Sequence, residues 1–429
     1  MLSVMVVCVC LLPARAQAAG VSDLTFTLNS DGNSYSVTDC TSSASGALEI
    51  PATYNGKPVT SIGNEAFYDC TSLTSITIPD SVTSIGNSAF RNCTSLTSIT
   101  IPDSVTSIDD YTFYDCTRLT SITIPDSVTS IGEDAFRYCT GLTSVTIGNG
   151  VTSIGRYAFY NCTSLTSITI PDSVTSIGDW AFCDCDSLTS ITIPDSVTSI
   201  GYDAFLRCAS LTSVNITDIA AWCKIDFGSY TANPLDYAHN LYLNGTLITD
   251  LVIPNSITTI GKHTFRNCTS LTSITIPDSV TSIGYEAFYK CRSLKTVILP
   301  QGMDTISQNA FYGCPVKNVY HKGTPEDWDW IIFEEGNDAL LNATIYHNFT
   351  GVFPGDVDGN FEVTQDDAVY LLLHTMFGDM FYPLNGAEGD IDGSGAVDQE
   401  DAVYLLLHTM FGDMFYPLNT PALPANTKE

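Results

Sequence analysis

The chain has 429 residues, 44% of them apolar, and 15 cysteines. Its 47 acidic against 16 basic side chains leave a formal charge of −31 at pH 7. A field of that sign repels nucleic acid and anionic membrane surfaces, so neither is expected as a partner. The length suits two domains.

Leu2 to Leu12 are mainly apolar and lead into Ala14-Arg15-Ala16-Gln17-Ala18. An apolar run followed by small alternating residues reads as a signal peptide over residues 1–18, and the run is too short to span a bilayer. Residues 19–47 lack the repeat that follows but hold strand-like pieces such as Leu24 to Leu28. They are expected to form the N-terminal cap that covers the first apolar face of a repeat array.

From residue 48 one unit recurs, as in LTSITIPDSVTSIGNSAFRNCTS over residues 73–95. Its Phe stands at Phe67, Phe90, Phe113, Phe136, Phe159, Phe182 and Phe205, always 23 apart, and again at Phe265, Phe288 and Phe311. A fixed period in the twenties means a solenoid whose coils bury their apolar faces only by stacking. Within a coil, Ser75-Ile76-Thr77-Ile78 alternates polar and apolar and predicts a short strand. Pro79-Asp80 predicts a turn, and Gly86 to Asn92 a second turn or one turn of helix. Stacked strands would form one long parallel sheet, and ten coils at about 4.8 Å a rod of about 50 Å. These residues resemble the 23-residue leucine-rich repeat of bacterial surface proteins, the BspA-like type. The resemblance implies a curved, mainly β solenoid outside the cell that binds proteins or surfaces, and it does not imply an enzyme. The solenoid is assigned to residues 48–349, with an irregular coil at 212–247 and a C-terminal cap at 316–349.

Residues 355–419 are a second duplication, with a period of 34: Asp367 to Asn385 returns unchanged as Asp401 to Asn419. Each unit opens on an acidic loop. Loop one offers Asp356, Asp358, Asn360, the Glu362 carbonyl, Thr364 and Asp367 at positions 1, 3, 5, 7, 9 and 12. Loop two offers Asp390, Asp392, Ser394, the Ala396 carbonyl, Asp398 and Asp401. Those spacings supply the hard oxygens calcium requires, in EF-hand-like loops that each lead into a helix. The segment holds thirteen Asp or Glu and no Lys or Arg, a density that favours bound cations. Position 6 is Gly395 in loop two but Phe361 in loop one, where positive φ costs about 1 kcal/mol. Loop one is therefore expected to bind calcium more weakly. The duplicated loop-plus-helix unit is similar to a type I dockerin module. That resemblance implies a cohesin module of a scaffold or surface protein as partner, as in cellulosomes. It places recognition at Gln365, Asp366, Leu372, Leu373 and Phe377, and at Gln399, Glu400, Leu406, Leu407 and Phe411. Residues 420–429 are a tail.

Ten cysteines form one column, from Cys70 to Cys314. A Cys at the same place in every coil reads as a small buried apolar residue carrying a free thiol. Cys183 stands outside the column and is the candidate reactive thiol. The Asp column (Asp80, Asp103, Asp126, Asp172, Asp195 and Asp278) is expected to hold turns through nearby backbone amides. The six histidines are scattered, against a zinc site. Variation concentrates around the Phe, where Tyr68, Arg91, Tyr114, Arg137, Tyr160 and, nearby, Trp180 are of types that anchor interfaces. This edge is the candidate ligand contact; ordinary amphipathic surface is the equal alternative. No nucleophile elbow, phosphate loop or metal-hydrolase motif is present. The chain reads as a secreted, non-catalytic solenoid carried on a dockerin-like module. A polysaccharide hydrolase and a structural spacer are the alternatives.

Overall fold

A computed structural model describes residues 19–349 together with Val369, Val403, Leu405 and Leu406. The signal peptide, both acidic loops and the dockerin-type recognition residues other than Leu406 lie outside the described residues. Leu406 is helical and 37% exposed. The chain divides into two compact units. One comprises the residues up to 297 with 302–317 and 331–343; the other comprises 298–301, 318–330 and the residues from 344 on.

The first unit is a parallel β-solenoid. One coil shows how the repeat builds it. Ser121–Ile124 is a strand with Ile122 and Ile124 buried and Thr123 exposed. It pairs in parallel with Ser144–Ile147 one coil on, Ser on Ser and Thr on Thr. The turn that follows is closed by the Val128 amide donating to the Pro125 carbonyl at 3.1 Å. In the Asp column, Asp126 bonds a backbone amide as expected, accepting from Asn149 in the turn of the next coil at 2.7 Å, while the Pro carbonyl closes its own turn.

Ser130–Ile131 then forms a second short strand, paired in parallel with Ser153–Ile154. The solenoid thus has two parallel sheet columns where the sequence predicts one. Two residues are too few for alternation to mark a strand. Next comes Gly132, packed so closely on the preceding coil that a Cβ would stand 2.7 Å from the backbone of Asp109. Only glycine permits that approach.

The corner around Phe136 is neither strand nor helix. Asp134 and Tyr138, two residues either side, are both left-handed, at φ 56° and 62°. The amides of Asp134, Phe136 and Tyr138 donate to the carbonyls of Arg156, Ala158 and Tyr160 at 2.8–2.9 Å. All three sides of the coil therefore bond to the next. Inside, the Phe rings stack in one file, with centroids 5.2 Å apart from Phe113 to Phe136 and from Phe136 to Phe159. Each ring is fully buried. A buried Phe contributes about 2–3 kcal/mol, and an aromatic pair about 1 kcal/mol more.

At the N-terminal end, β1 (Leu24–Leu28) pairs antiparallel with β2 (Tyr35–Cys40), and β2 pairs in parallel with β3 (Lys57–Ile62). Between Phe205 and Phe265 the coil swells. Asp218 caps the short helix α1 (Ile219–Cys223) by accepting from the Ala220 amide at 2.6 Å. Trp222 on α1 is buried and donates its Nε1–H to the Thr264 carbonyl at 3.0 Å. Asp226–Phe227 and Leu241–Leu243 keep the two parallel columns in step with the coil before. Both columns end here and start afresh, Asp250–Val252 pairing in parallel with Ser273–Thr275 and Thr259–Ile260 with Ser282–Ile283.

In the second unit, Asn318–His321 pairs in parallel with Thr344–Tyr346. Tyr320 stacks on Tyr346 at 4.8 Å. The helix α2 (Pro325–Asp329) is capped by Thr324, whose hydroxyl accepts from the Asp327 amide at 3.2 Å.

Candidate recognition edge

The corner that carries the Phe file also sets the candidate edge. Phe points inward; of the large side chains near it, Tyr68 and Tyr202 are exposed and Tyr111, Tyr114, Tyr157, Tyr160 and Trp180 half-buried. Tyr111, Tyr157 and Trp180 take φ values of 56°, 55° and 52°. Each such conformation in a bulky residue costs about 1 kcal/mol, and the same offset is left-handed at Glu65, Ser88 and Asp134, so it belongs to the coil rather than to these side chains.

The outward side chains of successive coils interleave into a ladder. The Arg91 guanidinium lies 4.7 Å from the Tyr114 ring, 5.6 Å from Tyr111 and 5.8 Å from Tyr68. Arg137 is enclosed by four rings, those of Tyr160, Tyr157, Tyr138 and Tyr114, at 4.7–6.0 Å. Arg156 sits over Tyr157 and Trp180. Trp180 stacks on Tyr157 at 5.2 Å and touches Tyr202 at 5.3 Å. Arg137 also binds the Asp134 carboxylate at 2.9 Å, with the two side chains 24% and 3% exposed. Burial pushes the Tyr114 and Tyr160 hydroxyls up, Tyr160 to about 12, so both stay protonated donors.

The structure therefore joins all six predicted edge residues, Tyr68, Arg91, Tyr114, Arg137, Tyr160 and Trp180, into one chain of rings and guanidinium ions. Sequence reasoning missed Tyr138, Arg156 and Asp134. Tyr138 stands two after its Phe and Arg156 three before, outside the column that was read; only their coil offset could have flagged them. A groove of about 420 Å³ runs beside the ladder. Its floor includes Gly155, Gly178, Gly201 and Gly228, and Arg156, Asp179, Tyr202 and Asp226 also line it. A second ring–cation group follows the swollen coil. Arg266 lies over Tyr289 at 4.1 Å and Tyr230 at 4.6 Å, held by Asp236 and Glu286.

The thiols are placed otherwise than a reactive site requires. The thirteen cysteines among the described residues are free and buried. From Cys93 to Cys208 each column thiol donates to the carbonyl of the preceding coil's Phe, as Cys116 does to Phe90 at 3.1 Å. Cys183 is 2% exposed, and burial together with the Asp184 carboxylate pushes it up to about 12. This corrects its reading as the reactive thiol: a thiol so shielded gives almost no thiolate. Among the described residues no three His, Cys, Asp or Glu side chains group to hold a metal, and no helix is long and apolar enough to cross a membrane.

The profile of the BspA type Leucine rich repeat region (6 copies) matches residues 48–162, 106–227 and 238–348. The chain belongs to this BspA-type family. Its repeats are similar to a leucine rich cell surface protein of Faecalibacterium prausnitzii, at 29% identity over 73% of this chain and 97% of that one, with a TM-score of 0.36. They are also similar to a leucine-rich repeat protein of Bacteroides ovatus, at 25% identity over 76% and 98%, with a TM-score of 0.40. A leucine-rich repeat protein of T. pallidum is 27% identical over 47% of this BspA-type chain and 85% of its own, with a TM-score of 0.34. No curated protein matches.

Proposed function

We propose that this chain is a secreted, non-catalytic recognition protein of the cell-surface type, whose solenoid takes a protein or surface ligand along the Tyr–Arg ladder. The observation that supports this most is the continuity of the ladder across the coils from Tyr68 to Tyr202. Tyr, Trp and Arg dominate binding energy at protein interfaces. Here they occupy successive coils, and Arg156 and Tyr202 at one end of the ladder border a groove lined by Gly155, Gly178, Gly201 and Gly228. The test is a screen of the intact chain against immobilised extracellular-matrix proteins and cell-wall polysaccharides, repeated with Tyr114→Ala/Arg137→Ala/Tyr160→Ala. A ligand whose affinity falls at least tenfold supports the assignment. Unchanged affinity for every ligand found overturns it.

The reading of residues 355–419 as a calcium-loaded, dockerin-like module that docks to a cohesin belongs to the same proposal. It rests on the loop spacings of Asp356 to Asp367 and Asp390 to Asp401. Calorimetric titration of the full chain with calcium is expected to show two sites, the weaker in the loop with Phe361. Chelation should then release a cohesin partner. Absence of calcium uptake removes the docking half and leaves the solenoid half standing.

A further inference from the structure

The first column thiol differs from those that follow. Cys93, Cys116, Cys139, Cys162, Cys185 and Cys208 each have a Phe carbonyl of the preceding coil within 3.1–3.3 Å. No Phe corner precedes Cys70. In that place stands the end of β2, and Cys70 Sγ lies at 3.8 Å from the Cys40 carbonyl and 3.9 Å from the Thr41 carbonyl. Cys40 Sγ approaches the same Thr41 carbonyl at 3.8 Å. The two thiols converge on one acceptor, the Thr41 carbonyl. Cys291 and Cys314, at the other end of the column, are each committed to a Phe carbonyl at 3.0–3.2 Å. Cys40 and Cys70 have no comparably short bond to lose.

We propose that Cys40 and Cys70 form a disulfide that ties the β1–β2 hairpin to the first coil. Both sulfurs are buried, so the exchange takes place before the hairpin closes, during folding. A small-molecule disulfide such as oxidised glutathione is the oxidant. One cysteine thiolate attacks a glutathione sulfur, forming a mixed disulfide and releasing one glutathione thiolate. The second cysteine displaces the other, so one Sγ–Sγ bond forms, one glutathione S–S bond breaks, and both thiol protons end on glutathione. The loop so closed lowers the entropy of the unfolded chain.

The test refolds the full chain in a glutathione buffer, alkylates the remaining thiols, and digests it with a glutamyl endopeptidase and trypsin without reduction. Cleavage at Glu49, Glu65 and Arg91 separates the two cysteines. The expected result is a linked pair of peptides carrying Cys40 and Cys70, with the column cysteines from Cys93 to Cys208 alkylated. Reduction should lower the melting temperature of the wild type by several degrees and leave that of Cys40→Ser unchanged. Recovery of both residues as alkylated thiols, or Cys40 linked to any other cysteine, overturns the proposal. The peptide map needs only the wild-type chain, so a variant that does not fold leaves the test intact.

Discussion

Arg137→Ala tests whether the ladder is a stabilising network or a row of independent contacts. The guanidinium faces four rings. One cation shared among four faces is worth about 1–2 kcal/mol, since single exposed pairs give about 0.5–1 kcal/mol and do not add. The substitution also strands the Asp134 carboxylate, whose side chain is 3% exposed. Leaving a buried charged acceptor without its donor costs about 1–3 kcal/mol more. Arg137→Ala should therefore cost about 2–5 kcal/mol, against about 1–2 kcal/mol for Arg91→Ala, which loses rings but no bonded carboxylate. Asp134→Asn added to Arg137→Ala should recover about half of the loss, because the amide removes the buried charge and Asn tolerates the left-handed backbone. Urea denaturation gives the totals, and hydrogen-exchange mass spectrometry over residues 111–160 shows whether the loss is local. Equal costs for the two Arg substitutions, or no recovery with Asn, would refute the reasoning.

Phe136→Ala should destabilise by about 3–5 kcal/mol, since it opens a cavity in a stacked file with little room to collapse; a calorimetric melt checks it. Gly178→Ala should cost about 3 kcal/mol, because its Cβ would stand 2.6 Å from the Arg156 amide nitrogen, at the top of the overpacking range. Gly56→Ala, with open space at φ +77°, should cost only about 1 kcal/mol, so equal losses in a thermal shift would remove the close-approach argument. His263 is pushed down from its ordinary 6.5 to about 4 by burial and then by the Arg266 and Lys262 cations, while Arg266 engages the Glu286 carboxylate that also faces the ring. The unfolded chain then binds the extra proton first, so this stability is present above pH 6.5 and lost as the pH falls toward 4. His263→Asn should flatten that part of a stability-versus-pH curve; an unaltered slope would mean another group controls it.

Much of the coil was legible because its signal is a period. The Phe spacing and the buried Cys column follow from one residue type returning at one offset. What stayed hidden is conformational. Nothing in Asp134 or Tyr138 as residue types announces positive φ, since the same positions hold Glu65, Ser88 and Arg207 elsewhere. Hydrogen bonds between coils impose that backbone whatever the side chain. The second sheet column was missed because Ser-Ile is too short to alternate. On the edge, the column of Tyr68, Arg91, Tyr114, Arg137 and Tyr160 was readable, but the partners of Arg137 were not: its rings come from three different offsets in neighbouring coils. Cys183 was misread because it stands outside the column, yet it is as buried as the column thiols. It is a small side chain, and its thiol lies against the Asp184 carboxylate at 3.5 Å.

The near-identity of the coils leaves the chain poor at telling one from the next. Ser pairs on Ser and Ile on Ile at every step from Ser130 to Ile200. A coil that skipped a neighbour while folding would meet the same partners and lose little locally, and such misassembly is a characteristic failure of repeat arrays. The swollen coil has no such twin. Trp222 donates to the Thr264 carbonyl, and the Asn233 amide to the carbonyls of His263 and Thr264. It works as a phase marker: once it is in place, counting restarts from a fixed point, and a slip on one side cannot spread to the other.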